Sequence, residues 1–223
     1  IDFAKTLELK GHEFLPDSMD EISSNNDQQR NEATIFAHTV YHRVLEKLER
    51  EPVEDFRIDF EDGYGNRPDE EEDNHAMLAA KEVAKGLASN SLPPFIGIRI
   101  KSLTEEQKNR AIRTLDIFIS TLSEKTKGKL PDNFVVTIPK VTIPEHVKTI
   151  VQLFDLLEEK TELASGSLKL ELMIETPQSI LDNNGKSALP TLVKAANGRC
   201  VAAHFGVYDY TASTNITDRK SVV

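Results

Sequence analysis

Five short apolar runs, evenly spaced along the chain, constrain the fold more than any other feature of this sequence. They are rich in Val, Ile and Phe, and they lie at residues 56–60, 95–100, 134–139, 169–174 and 200–205. Successive runs begin 31 to 39 residues apart, which is the length of one strand and a returning helix. Such units predict an α/β fold with a parallel sheet, because right-handed crossovers then cover the strands with helices.

The intervals between the runs carry the periodicity of amphipathic helices. Apolar residues recur every three to four positions within residues 76–87, 111–122 and 147–154. Pro144 suits the first turn of a helix, and Asn197-Gly198 suits the end of a short helix over residues 188–196. We expect these helices to pack on the sheet.

Two architectures contain such units: a (β/α)8 barrel of the TIM type and an open, doubly wound sheet. Gly63-Tyr64-Gly65 lacks the third glycine and the following helix of a dinucleotide-binding turn, which disfavours the open sheet. We therefore expect a single TIM-barrel-like α/β domain over residues 1–223, with about five or six of eight units visible and the last units missing. Residues 1–32 are polar, and we expect them to form an irregular N-terminal segment.

Composition excludes several classes of function. The chain has 27 Lys and Arg against 37 Asp and Glu, and the net charge of −10 disfavours binding to nucleic acid. It contains no apolar run near the ~18 residues that span a bilayer, so we expect no membrane association. Cys200 is the single cysteine, and no secretory signal is visible, which together predict a cytoplasmic protein.

Charged residues follow each apolar run, where the strand ends of a parallel barrel form one catalytic rim. Glu175 and Asp209 follow consecutive runs. Two hard carboxylates suit Mg²⁺ or Mn²⁺, which keep positions for water and for the oxygens of a 2-oxo acid. The alternative is that each acid caps a helix or forms a salt bridge. Zinc is disfavoured, because the six histidines do not cluster.

Two cations belong to the same set of strand ends. Arg99 has apolar neighbours, so it either pairs with Glu61 or Asp62 or holds a substrate carboxylate, and both roles are compatible. Lys140 could be a Schiff-base nucleophile, but nearby acids would keep it protonated and favour a role as a charge partner. His204 lies within a run and fits a hydrogen-bonded histidine of the core or of the rim better than a general base.

Five segments resemble, in order, the HpcH/HpaI aldolase and citrate lyase beta-subunit family of the phosphoenolpyruvate/pyruvate barrel superfamily. They are Ile58-Asp59-Phe60-Glu61-Asp62, Gly97-Ile98-Arg99-Ile100, Ile138-Pro139-Lys140-Val141, Met173-Ile174-Glu175-Thr176 and Phe205-Gly206-Val207-Tyr208-Asp209-Tyr210. Each segment is weak alone, whereas the set is specific.

The resemblance implies roles for these residues. Glu175 and Asp209 would hold Mg²⁺, and Arg99 would contact a 2-oxo acid or thioester oxygen. Glu61 and Asp62 would orient the arginine and a metal-bound water.

Other implications concern the substrate and the assembly. Gly206 and Tyr208 would join Arg99 in binding substrate, and Lys140 would belong to the catalytic set. The family carries out reversible carbon–carbon cleavage and usually forms trimers or hexamers.

The leading hypothesis is a Mg²⁺-dependent carbon–carbon lyase, of aldol or Claisen type, acting through a metal-stabilised enolate. Its substrate would be a small 2-oxo acid, a hydroxy acid or an acyl-CoA. The alternatives are a non-catalytic subunit of a larger lyase complex, another activity on the same metal site, and a metal-free Schiff-base aldolase that uses Lys140.

Overall fold

The computed structural model describes residues 28–217, with side chains from residue 35 onward. The chain divides into two compact units between Glu54 and Asp55. In the first unit, helix α1 spans Gln28–Arg50. Part of the segment that we expected to be irregular is therefore helical, and residues 1–27 lie outside the described residues. Over residues 28–217, no helix is both long enough and apolar enough to cross a membrane.

The second unit alternates strands with helices, as the spacing of the apolar runs predicted. Its elements are β1 (Asp55–Asp59), α2 (Asp69–Ala88), β2 (Phe95–Arg99), α3 (Lys108–Thr126), β3 (Phe134–Ile138), α4 (Pro144–Thr161), β4 (Lys169–Ile174), α5 (Pro177–Ile180), α6 (Leu189–Ala195), β5 (Cys200–Phe205) and α7 (Val207–Ser213). All five predicted runs are strands to within one residue at each end. Pro144 opens α4, and Asn197 follows α6 in the left-handed region, as predicted.

The five strands form one parallel sheet in the order β1-β2-β3-β4-β5. Each strand pairs with the next one along the chain, so that Asp59 lies opposite Arg99, and Arg99 lies opposite Thr137. The order does not reverse, whereas a doubly wound sheet changes direction at its switch point. The prediction of an α/β fold with a parallel sheet is thus confirmed.

Alternate residues of the strands face the helices and form the core. Ile96, Ile98 and Ile100 of the β2 segment are buried, and they belong to one cluster with Leu115 of α3 and Phe154 of α4. This burial supplies most of the driving force for the layer, since each such side chain contributes about 1.5–3 kcal/mol when removed from water.

The opposite face of the sheet carries polar side chains, and it is concave. Arg57 on β1 donates through Nε to Glu171 Oε2 on β4 at 3.2 Å. β1 and β4 are three strand positions apart, which corresponds to about 14 Å in a flat sheet. At that distance, side chains that point straight out from one face could not form this hydrogen bond. The sheet therefore curves around its polar face. Thr137 also donates to Glu171, at 2.5 Å.

This cluster predicts an acid-dependent loss of stability. Although burial opposes it, hydrogen bonds from His204, Thr137 and Arg57 lower the pKa of Glu171 to about 2, from 4.5. A depressed folded-state pKa stabilises the protein above pH ~4.5, and that stability is lost as the pH falls towards ~2. Urea unfolding should show that wild type exceeds Glu171→Gln in stability at pH 6, by a margin that shrinks below pH ~4.5. A margin that stays constant down to pH 3 would contradict this.

Candidate functional site

The ends of β1, β3 and β5 meet around the ammonium group of Lys140. This residue follows β3, and its Nζ contacts Glu61 and lies 2.7 Å from Asp62 Oδ2, both in the loop after β1. The same nitrogen lies 3.4 Å from Oδ2 of Asp209, in the first turn of α7. The ammonium group of Lys140 thus connects residues that follow β1 and β5, each of which lies two strands away from β3 in the sheet.

Lys140 is fixed through its backbone as well as its side chain. Its φ is 51°, a left-handed conformation that is uncommon for residues with a side chain. Its amide donates to Glu175 Oε1 at 2.7 Å, which links the end of β3 to the end of β4.

The side chain of Lys140 is held as a cation. Burial works against the charge, but hydrogen bonds with Asp62 and Glu61 outweigh it and raise the pKa of Lys140. A protonated amine cannot attack a carbonyl, so the geometry favours a charge partner over a Schiff-base nucleophile.

Arg99 at the end of β2 is clamped by Asp59, the residue opposite it on β1. Its Nε donates to Asp59 Oδ1 at 2.7 Å and its Nη2 to Oδ2 at 2.5 Å. We expected Glu61 or Asp62 as the partner. Glu61 is a secondary one, with Oε2 3.6 Å from Arg99 Nε, and Asp62 contacts Lys140 instead.

The clamp leaves donors of Arg99 for a ligand. Asp59 also accepts from the amides of Glu61, at 2.9 Å, and Gly63, at 2.8 Å, so the carboxylate is fixed on several sides. A guanidinium has five N–H donors, and Asp59 takes only two of them. Nη1 makes a weak contact of 3.8 Å with Met173 Sδ.

Glu175 is a buried carboxyl group next to Asp209. It is 1% exposed, and its Oε2 has no hydrogen-bond donor among the described residues. Burial and the neighbouring Asp209 raise the pKa of Glu175 to about 7, although the amide and charge of Lys140 oppose the shift. The neighbouring Glu175 carboxyl group in turn lowers the pKa of Asp209. Two carboxyl groups this close repel each other when both are ionised, which favours the protonated form of Glu175.

Gly206 and Tyr208 were assigned to substrate binding from the resemblance, and Gly206 lies against Glu175. A Cβ on Gly206 would stand 2.7 Å from Glu175 Cβ and 2.9 Å from Glu175 Oε2, so only glycine allows this approach. Tyr208 is 78% exposed near the start of α7. A role of either residue in binding substrate stays a prediction.

The crowding at Gly206 gives a direct test of how Glu175 is positioned. The φ of Gly206 is −86°, which any residue adopts, so Gly206→Ala changes crowding without backbone strain. We expect thermal unfolding to show a loss of about 1–3 kcal/mol, as for an overpacked site. Val207→Ala, at the neighbouring exposed position, serves as control. Equal stabilities of wild type and Gly206→Ala would show that Glu175 is not held against this glycine.

The donor set fits a hard divalent cation of the kind that the sequence suggested. Glu175 and Asp209 supply carboxylate oxygens, and Glu175 Oε2 is buried without a donor. Magnesium commonly takes only one or two protein carboxylates and fills its octahedron with water and substrate oxygens. Among the side chains of residues 35–217, no group of three or more His, Cys, Asp or Glu is arranged around one metal position.

Sequence reasoning missed two acids of this region. Asp59 lies near the end of its run, but its pairing with Arg99 depends on the register of β1 and β2. Glu171 lies within an apolar run, where it alternates with Leu170 and Leu172. That alternation places the carboxylate of Glu171 on the face opposite the core. The same alternation in the sequence could have predicted this position.

Comparison with known proteins yields one family. No curated protein matches the chain. The resemblance to the HpcH/HpaI aldolase and citrate lyase beta-subunit family therefore stays a prediction. A family model described as a domain of unknown function, DUF6986, matches residues 2–222. Since this match covers nearly the whole chain, the protein belongs to the DUF6986 family.

Proposed function

We propose that this protein is a carbon–carbon lyase, dependent on Mg²⁺ or Mn²⁺, with aldol or Claisen chemistry. Its substrate would be a small 2-oxo acid, a hydroxy acid or an acyl-CoA. The observation that carries the proposal is the buried Glu175 carboxyl paired with Asp209, next to Lys140 and at the strand ends that also carry Arg99. Carboxylates and fixed cations at that edge suit chemistry in which a substrate oxygen gains negative charge.

The architecture that we propose for this activity is part of a (β/α)8 barrel. The uninterrupted strand order and the concave polar face support it, because barrel strands follow one another around a curved sheet with side chains filling the interior. The residues of the candidate site lie at the carboxyl ends of the strands, where barrel enzymes carry their active sites.

One network of contacts connects the charged groups of the site. Arg99 is held by Asp59 and approaches Glu61, and Glu61 contacts Lys140. Lys140 in turn reaches Asp209. A site held in this way is preorganised, so its dipoles and charges need little rearrangement when charge develops on the substrate.

Each group has a part in the proposed reaction. A divalent cation bound by Glu175 and Asp209 would act as a Lewis acid on a substrate oxygen. Arg99 would bind the substrate carboxylate or carbonyl with the donors that Asp59 leaves, and its planar fork would fix the orientation. Lys140 would hold Glu61 and Asp62 in place and offset the excess of negative charge.

Exchange of substrate protons with solvent tests this proposal without knowledge of the full substrate. The methyl protons of pyruvate, or of acetyl-CoA, should exchange with deuterium in D₂O in the presence of the protein and Mg²⁺, measured by proton NMR. We expect exchange to stop with excess EDTA and to return with Mg²⁺. Absence of exchange with both compounds would favour a non-catalytic subunit.

The Schiff-base alternative makes a different prediction. A lysine aldolase would be indifferent to EDTA, and borohydride with substrate would attach the substrate covalently at Lys140. Intact-mass spectrometry should show no such adduct if the metal-dependent proposal holds.

A further inference from the structure

We propose that His38 and His42 on helix α1 form a binding site for a transition-metal ion such as Cu²⁺, Ni²⁺ or Zn²⁺. The site lies in the first unit of the chain and is independent of the carboxylate site and of the proposed lyase activity. It rests on the convergence of the two imidazole rings.

The two rings present the same kind of nitrogen to one point in space. Nε2 of His38 lies 3.0 Å from Nε2 of His42, and the ring centroids are 4.2 Å apart. His42 is exposed and His38 is half-buried, so a metal ion can reach both from solvent. Four residues along an α-helix return a side chain to the same face, one turn further on.

This separation fits two ligands of one metal ion. Metal–imidazole bonds are about 2.0–2.1 Å long. Two nitrogens at that distance and at right angles around a metal are therefore about 3 Å apart, so the two rings need only small rotations to aim both lone pairs at the ion. The pair now shares one hydrogen bond, which a metal ion would replace.

The chemistry of the imidazole ligands determines which metal ions this site would bind. Imidazole nitrogen suits Cu²⁺, Ni²⁺ and Zn²⁺, whereas Mg²⁺ prefers oxygen, so this site and the carboxylate pair take different metals. The spacing matches that of helices that bind zinc through H-E-x-x-H, but Thr39 stands where those helices carry glutamate. We therefore infer metal binding and no hydrolytic activity.

A partly chelated copper ion is a selective probe for such a pair. Iminodiacetate fills three coordination positions of Cu²⁺, and the coordination positions that remain suit two adjacent imidazoles. Binding to the full chain, followed by electron paramagnetic resonance, should show coupling to two imidazole nitrogens. We expect His38→Gln and His42→Gln each to weaken binding at least tenfold, and His146→Gln and Asp116→Asn to leave it unchanged.

A rescue variant separates a metal site from a general effect on the helix. Glu46 is exposed and lies four residues after His42. The double variant His38→Gln with Glu46→His restores a pair with the same spacing one turn further along, and it should recover the affinity. Circular dichroism should show equal helix content in all variants. Wild-type affinity in both single glutamine variants, or failure of the rescue in a folded protein, would overturn the proposal.

Discussion

Replacement of Lys140 by Met should lower the free energy of unfolding by about 2–4 kcal/mol at neutral pH, measured without divalent cations. Breaking a largely buried ion pair leaves the remaining charge uncompensated, and such losses are typically 3–5 kcal/mol. Here the ammonium is 32% exposed while Glu61 is 3% exposed, so solvent screens part of the effect. The variant would leave the carboxylates of Glu61, Asp62 and Asp209 facing one another.

The same variant distinguishes between two interpretations of the acids around Lys140, a site that can bind a divalent cation and an ordinary ion pair. Millimolar Mg²⁺ should restore much of the stability of Lys140→Met, because a divalent ion can replace the ammonium among the acids. Urea unfolding with and without Mg²⁺ measures this. Lys148→Met is the matched control, since Lys148 has an exposed pair with Glu145 at 3.2 Å and should lose less than about 1 kcal/mol. Equal losses in the two variants would contradict the account.

Arg99→Lys should reduce the rate of substrate proton exchange by about 10² to 10³, with a small effect on folding. Loss of one donor to a developing oxyanion typically has an effect of this size. Lysine keeps the positive charge but cannot hold Asp59 through two parallel hydrogen bonds and still donate to a ligand. The loss should fall on turnover, because the interaction strengthens as charge develops.

A second arginine offers a control with the same local geometry. Arg113 donates through Nε and Nη2 to Asp73 on the outer helices, at 2.9 and 2.6 Å from Oδ2, and its side chain is 61% exposed. Arg113→Lys also loses a two-point clamp, and it should keep the full exchange rate. If Arg99→Lys kept the wild-type rate as well, the substrate would not contact Arg99.

The strands and the main site were predictable because their signals are local. An apolar run of five or six residues that is followed by a charged residue identifies both a strand and its carboxyl end. In a parallel sheet, these ends lie at the same edge. Lys140, Glu175 and Asp209 were therefore expected near one another, and the structure brings them together.

The remaining features depend on distances that a sequence does not contain. Glu61 and Asp62 were the expected partners of Arg99, and only the register that sets Asp59 opposite Arg99 shows that Asp59 is the main one. The bond between Arg57 and Glu171 requires the curvature of the sheet. The left-handed turn at Lys140 depends on a hydrogen bond to a residue 35 positions away.

Calorimetric titration of Mg²⁺ and Mn²⁺ into the full chain shows whether Glu175 and Asp209 bind a divalent cation. It compares wild type with Asp209→Asn and with Asp116→Asn, an exposed acid on α3, each with and without pyruvate or oxaloacetate. We expect Mg²⁺ or Mn²⁺ to bind more tightly in the presence of the oxo acid, and we expect Asp209→Asn alone to abolish this binding. Absence of binding to wild type in every condition, or equal binding to all three proteins, would contradict it.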